Sequence, residues 1–206
     1  MFKTEQETFW ASNFGKEYIE RNSLTPQIFA STLNHWSNML QKMSAAPVSV
    51  LELGSNIGRN LYALDMLLPG TKLSAIEINP EAATRLRQWG KAEVFESSIL
   101  EFTPQDHYDL VFTSGVLIHI APENLQQVYE LMYTASGRYI CMAEYYSPHA
   151  EERPYRGHAG KMYRRDFAGE IMAKYPDLIL RGYGCTYLKD PVFPLDDFKW
   201  FVMEKL

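Results

Sequence analysis

The chain has 206 residues, 46% of them hydrophobic, and a formal net charge of -5 at pH 7. That length suits one domain with a substantial core, and the acidic balance argues against the broad basic face that sequence-independent nucleic-acid binding needs. Two isolated cysteines, Cys141 and Cys185, make neither a disulfide framework nor a metal motif, no run approaches the ~18 apolar residues of a membrane span, and no apolar signal segment opens the sequence, so a reduced, cytoplasmic protein with no membrane or nucleic-acid partner is expected.

In chain order, Phe9, Trp10, Phe14, Tyr18 and Ile19 recur at helical spacing. Thr25-Pro26 then starts a helix whose apolar stripe is Ile28, Phe29, Leu33, Trp36 and Leu40, so two helices are expected before the first strand. Residues 48–53 read as a buried strand and 58–68 as the following helix, stopped by Pro69-Gly70. A second strand is expected over 72–77, a helix from Asn79-Pro80 to Gly90, and a third strand over 92–96. Residues 108–113 form a fourth strand, 122–134 a helix and 138–144 a fifth strand. This alternation predicts a mostly parallel sheet with helices on both faces. Residues 145–163 show no period and read as a long loop; a helix over 165–175 and strands near 178–188 and 198–204 complete the chain.

The chemistry concentrates at Val48–Asn60, VSVLELGSNIGRN, where an apolar strand ends in an acid and a glycine-punctuated turn opens a helix. Gly54 suits the tight turn, and Gly58 lets the helix pack close to the strand. A dinucleotide loop would carry glycine at position 56, where Asn56, a residue that tolerates positive φ, stands instead. Glu52 would repel phosphates but suits an ammonium group. Glu77, at the end of the next strand, can accept from both hydroxyls of a ribose. The pattern therefore favours an adenosine-type ligand with a cationic amino-acid end over a diphosphate.

The loop, Glu52, Glu77 and the later segment Asp109–His119 together resemble class I S-adenosylmethionine-dependent methyltransferases. The resemblance implies a Rossmann-like α/β fold with a seven-stranded sheet and S-adenosylmethionine as cofactor. It implies cofactor contacts from Glu52, Gly54, Ser55, Asn56, Gly58, Asn60, Glu77, Ile78, Ser98, Ile99, Ser114 and Gly115. Ser98 stands where the wider pattern has an acid after the third strand. Its hydroxyl accepts from an adenine amino group more weakly than a carboxylate, leaving the Ile99 backbone and packing by Ile78 and Leu100 as alternatives. A helical cap could add Trp10 and Tyr18 over the sulfonium, or these could be core, and Arg21 could pair with the methionine carboxylate. The expected organisation is a single domain, with a cap over 1–45, a cofactor-binding core over 46–144, and an acceptor loop and last strands over 145–206.

A narrower likeness covers nearly the whole chain. Phe9-Trp10, Phe14-Gly15, Tyr18-Ile19, Arg21-Asn22, the Gly54–Leu61 segment, Glu77-Ile78-Asn79, the stretch from Pro154 to His158, Arg165–Gly169 and Tyr175-Pro176-Asp177 resemble the pseudaminic-acid-biosynthesis-associated methylase family. That likeness implies methyl transfer in the biosynthesis of sialic-acid-like bacterial sugars.

For the transfer itself, His119 is either a general base near the methyl group or a histidine that caps its loop. Arg153 and Arg156, interleaved with Tyr155 and His158 and following Tyr145, suit a small acceptor bearing a carboxylate or phosphate, or else form a solvated loop. No metal is expected. The sequence offers no N-P-P-Y-like segment of an amino-directed nucleic-acid methyltransferase. The rival outside catalysis is a cofactor-binding or scaffold protein of a biosynthetic complex.

Overall fold

The computed structural model describes residues 2–21 and 23–206; Met1 and Asn22, one of the residues in the narrower likeness, lie outside the described residues. Three helices, α1 (Glu5–Ala11), α2 (Asn13–Arg21) and α3 (Pro26–Leu40), precede the first strand rather than the two expected. Ser12 makes the difference. Its backbone is extended, at φ -90° and ψ -168°, and its hydroxyl donates to the Phe9 carbonyl at 2.8 Å, which closes α1 and turns the chain. Gly15 permits the tight corner that follows, because a Cβ there would collide with the Trp10 carbonyl and the Asn79 side chain.

The core alternates strand and helix: β1 (Ser49–Leu53), α4 (Arg59–Leu67), β2 (Lys72–Glu77), α5 (Pro80–Trp89), β3 (Ala92–Glu96), β4 (Tyr108–Ser114), α6 (Leu125–Ala135) and β5 (Ser136–Glu144). Short 3-10 turns at Leu117–His119 and Pro122–Asn124 lead into α6, so the helix expected from 122 starts later. Asn79 explains the start of α5, accepting from Glu81 N and Ala82 N, and Gly90 ends it at φ 76°.

After β5 the expected long loop is in fact a hairpin, β6 (Glu151–Tyr155) and β7 (His158–Arg164). Its two-residue turn, Arg156-Gly157, takes positive φ at both positions, 48° and 86°, the geometry of a tight hairpin turn. Pro154 and an irregular register between Arg153 and Tyr155 hide the strand pattern in the sequence. The chain ends with α7 (Phe167–Lys174), β8 (Leu178–Cys185) and β9 (Lys199–Lys205).

Seven strands form one sheet in the order β3-β2-β1-β4-β5-β9-β8. The five from β3 to β5 run parallel, and β9 is antiparallel to both neighbours. Alternate residues serve two cores. Leu51, Leu53, Val111, Ile140 and Met142 pack with Val128 and Met132 of α6 and Ile171 of α7. Val50, Leu110, Phe112 and Cys141 pack on the other face with Trp36 of α3, Leu61 and Leu64 of α4 and Leu86 of α5. Each fully buried large side chain contributes about 1.5–3 kcal/mol through lost apolar surface. Strand order reverses between β1 and β4, which opens a crevice at the carboxyl ends of the strands.

Candidate active site

The loop between β1 and α4 is held by β2. Gly54 N and Ser55 N both donate to the Ile76 carbonyl, at 2.8 and 3.1 Å. Gly54 has φ 72°, and a Cβ there would lie 2.8 Å from Val116 Cγ2, so this position is restricted to glycine on two grounds. Gly58, at φ 84°, opens α4, and a Cβ on it would run into Leu86 of α5. Asn56 takes positive φ, 50°. Its N–H donates at 2.6 Å to Oε2 of Glu77, whose Oε1 accepts from Asn79 N at 2.7 Å. Glu77 thus ties the loop to the start of α5 and keeps acceptor capacity on both oxygens. Burial raises its pKa, and the backbone donors of Asn79, Asn56 and Ile78 offset only part of that rise.

Glu52 is 1% exposed. Its Oε1 accepts from Asn60 Nδ2 at 2.7 Å, and Asn60 Oδ1 in turn accepts from Trp36 Nε1 at 3.2 Å. Its Oε2 is buried with no partner. Burial pushes the carboxyl up to about 8, against the lowering effects of Asn60 and the Arg59 charge. An orphaned acidic oxygen on a cavity wall lacks a cationic donor.

One cavity runs along the crevice, lined by Glu52, Gly54, Ser55, Asn56, Asn60, Glu77 and Ile78, and then by Ser98 and Ile99 at the β3 edge. Its other end is lined by Ser114, Gly115 and His119 from β4 and the turn after it, and Trp10 and Tyr18 close it from above. Side chains not anticipated from the sequence also line it, among them Gln6 and Glu7 of α1 and Arg59 of α4. A capping-box pattern, Thr4 with Glu7, is the sequence signal for the first two.

His119 is buried, and its Nδ1 lies 2.6 Å from the Lys161 carbonyl oxygen of β7. A carbonyl only accepts, so Nδ1 carries the proton and Nε2 is the basic nitrogen. Burial lowers its pKa to about 4, although the bond to Lys161 opposes that; the imidazole is neutral at pH 7. Trp10 and Tyr155 flank the ring, each with a centroid 4.6 Å away. Glu144 Oε1 accepts from Val116 N and Leu117 N, both at 3.1 Å, and so shapes the turn that carries His119.

Several expected contacts fall elsewhere. Arg21 does not line the cavity. It pairs with Glu17 at 3.1 Å and lies over the Phe14 ring, because α2 turns that face outward. Gly58 is structural, behind the wall. None of Tyr145, Arg153, Tyr155, Arg156 and His158 lines the cavity. Arg153 pairs with Glu151 at 2.7 Å and Arg156 sits exposed at the hairpin turn. His158 packs on Phe9 and Phe14, and Tyr145 packs on Phe198 with the Arg164 guanidinium over its ring. Among the described residues no group of His, Cys, Asp or Glu could hold a metal ion, and no helix is long and apolar enough to cross a membrane.

Sequence comparison matches residues 51–135 to the family described as a methyltransferase domain. No curated protein matches the chain. Among solved structures, magnesium protoporphyrin IX methyltransferase from Synechocystis, with bound S-adenosylmethionine, is similar at TM-score 0.71 and 10% identity, covering 100% of both chains. The plantazolicin methyltransferase BpumL, with a monoazolic substrate analogue and S-adenosylhomocysteine, is similar at 0.69 and 16%, covering 97% of this chain and 93% of that one. The 1,6-didemethyltoxoflavin-N1-methyltransferase of Burkholderia thailandensis is similar at 0.69 and 12%, covering 97% and 86%. The fold is thus the class I methyltransferase fold, and the neighbours that share it hold S-adenosylmethionine or S-adenosylhomocysteine.

The wall of the domain fits that cofactor. The orphaned Glu52 Oε2 suits its ammonium group, Glu77 suits the ribose diol, and Trp10 supplies an aromatic face. Arg59 is the cavity cation that suits its carboxylate, the role expected of Arg21.

Proposed function

We propose that the protein methylates an O or N atom of a small anionic acceptor in the cytoplasm, within bacterial pseudaminic-type sugar biosynthesis. The bound cofactor supplies a methyl group already activated on a sulfonium, so what the protein adds is alignment and proton removal. Neutral His119, with Nε2 as its basic nitrogen on the cavity wall, is the observation that carries the catalytic reading. It would take the proton that the acceptor O–H or N–H gives up as the new bond to carbon forms and the methyl–sulfur bond breaks, leaving the neutral thioether of S-adenosylhomocysteine. One cation outside the cofactor end supports an anionic acceptor: Arg164 keeps a buried Nε with no partner beside Tyr145. The residue likeness to the pseudaminic-associated family supports the sugar context, and the domain boundaries 1–206 follow from it.

Incubation with S-adenosylmethionine and a panel of carboxylated nonulosonic sugars, their nucleotide-linked forms and neutral hexosamines tests this, with product mass and S-adenosylhomocysteine as readouts. Turnover with the carboxylated members alone is expected. Turnover only with neutral acceptors rejects the anionic class, and cofactor binding with no turnover on any acceptor favours a binding protein.

A further inference from the structure

Class I methyltransferase cavities need a polar acceptor where an adenine amino group arrives, and here the residue after β3 is a serine. Ser98 Oγ already accepts from Leu100 N at 3.0 Å. Glu7 of α1 is 6% exposed and lines the same cavity. Its Oε2 is taken up locally, by Thr4 N at 2.7 Å, Lys3 N at 2.8 Å and Thr4 Oγ1 at 3.1 Å. Its Oε1 is buried with no short hydrogen bond, and the Ser98 hydroxyl is the polar group beside the carboxylate. A capping acid normally lies at the surface, where water satisfies its second oxygen. This one is buried in the wall of the cavity, beside Ser98.

We propose that Glu7 Oε1 receives the exocyclic amino group of the cofactor's adenine, so that an acid carried by α1 replaces the missing acid after β3. The assignment rests on S-adenosylmethionine occupying the cavity. The carboxyl is ionised, as this contact requires. Burial raises its pKa, but hydrogen bonding by Ser98, Thr4 and Lys3 brings it below the usual value. Ionised, it only accepts, which matches an amino group and repels a carbonyl oxygen. The contact also joins cofactor to cover. Helix α1 is fastened to the β6–β7 hairpin by Gln6 Nε2 on the Gly160 carbonyl at 3.1 Å and by Glu5 with Lys161 at 3.2 Å. Adenine recognition would therefore draw helix and hairpin over the site together.

The test compares calorimetric binding of S-adenosylhomocysteine with that of S-inosylhomocysteine, which carries a 6-oxo group in place of the amino group. Wild type is expected to favour the adenine ligand by about 10- to 100-fold. Glu7→Gln retains a capping-box residue but turns a donor into the pocket, so it is expected to erase the preference or invert it. Ser98→Ala is expected to leave the preference in place. Equal affinities in wild type overturn the assignment without recourse to a variant. So does an unchanged ratio in Glu7→Gln, whether at full or reduced affinity, or a preference lost in Ser98→Ala alone. If wild type binds neither ligand, the cofactor reading falls with it; if it binds the adenine ligand and Glu7→Gln keeps the ratio, only this inference falls.

Discussion

The Lys161 carbonyl oxygen sits 2.6 Å from Nδ1 of His119. One backbone atom of the hairpin thereby fixes which imidazole nitrogen is basic. Because burial lowers His119 to about 4, the methyl-transfer rate is expected to be flat across pH 6 to 8 as far as this group is concerned. Its protonation should cut the rate only as the pH approaches ~4. An NMR titration of the His119 ring checks the value directly; a midpoint near 6.5 would remove the burial argument. His119→Gln is expected to lower kcat by about 10²-fold or more while S-adenosylhomocysteine affinity changes little.

Glu52 sets a pH dependence of opposite kind. Burial keeps it protonated in the fold up to about 8, whereas its ordinary value is 4.5. Between these values unfolding releases a proton, so raising the pH favours the unfolded chain. The ligand-free protein is expected to lose about 1–2 kcal/mol between pH 6.5 and 8, and Glu52→Gln to lose much less. Glu144, raised to about 7, acts with the same sign mainly below that value. His35 and His119, both lowered to about 4 by burial, act with the opposite sign and only below about pH 6.5. Urea unfolding at the two pH values, compared between wild type and variant, isolates Glu52.

Gly54 is expected to tolerate no side chain. Gly54→Ala would strain a left-handed residue and press a methyl group to 2.8 Å from Val116 Cγ2. A loss of about 1–3 kcal/mol in thermal or urea unfolding is expected, together with weaker S-adenosylhomocysteine binding. Wild-type stability and affinity in this variant would show that the loop does not hold the ligand in this form.

The parallel half of the sheet is legible in the sequence because its strands are short apolar runs bounded by glycine, proline and asparagine. The strands expected over 72–77 and 92–96 have those same ends in the fold. Glu77 is legible for the same reason: it closes such a run. The hairpin is not. Met162 alone among its residues is buried, so no alternation betrays it. Arg21 and Arg59 show another limit. Both are basic residues near plausible ligand ends, and only the turn at Ser12 and the αL opening of α4 at Gly58 decide which faces the cavity. Glu7 belongs to a recognisable cap, yet it reaches the cavity wall only through the docking of α1, which Asn79 secures by donating to the Trp10 carbonyl at 3.0 Å.

Arg164 and Arg156 separate two views of the acceptor. Arg164→Ala is expected to raise the acceptor KM about tenfold with kcat nearly unchanged, since an arginine pairing with an anion contributes about 1–3 kcal/mol. Arg156→Ala, at the exposed turn, is expected to leave KM within about twofold. The reverse pattern in steady-state kinetics would move the acceptor to the outer face of the hairpin.

The most direct test is calorimetric titration of S-adenosylhomocysteine at pH 7 in buffers of different ionisation enthalpy. An ammonium group beside Glu52 would lower that carboxyl's pKa, so one-to-one binding with release of up to one proton is expected, and Glu52→Gln should abolish the release. Absence of saturable binding, proton release that persists in Glu52→Gln, or tighter binding of a nicotinamide dinucleotide would contradict it.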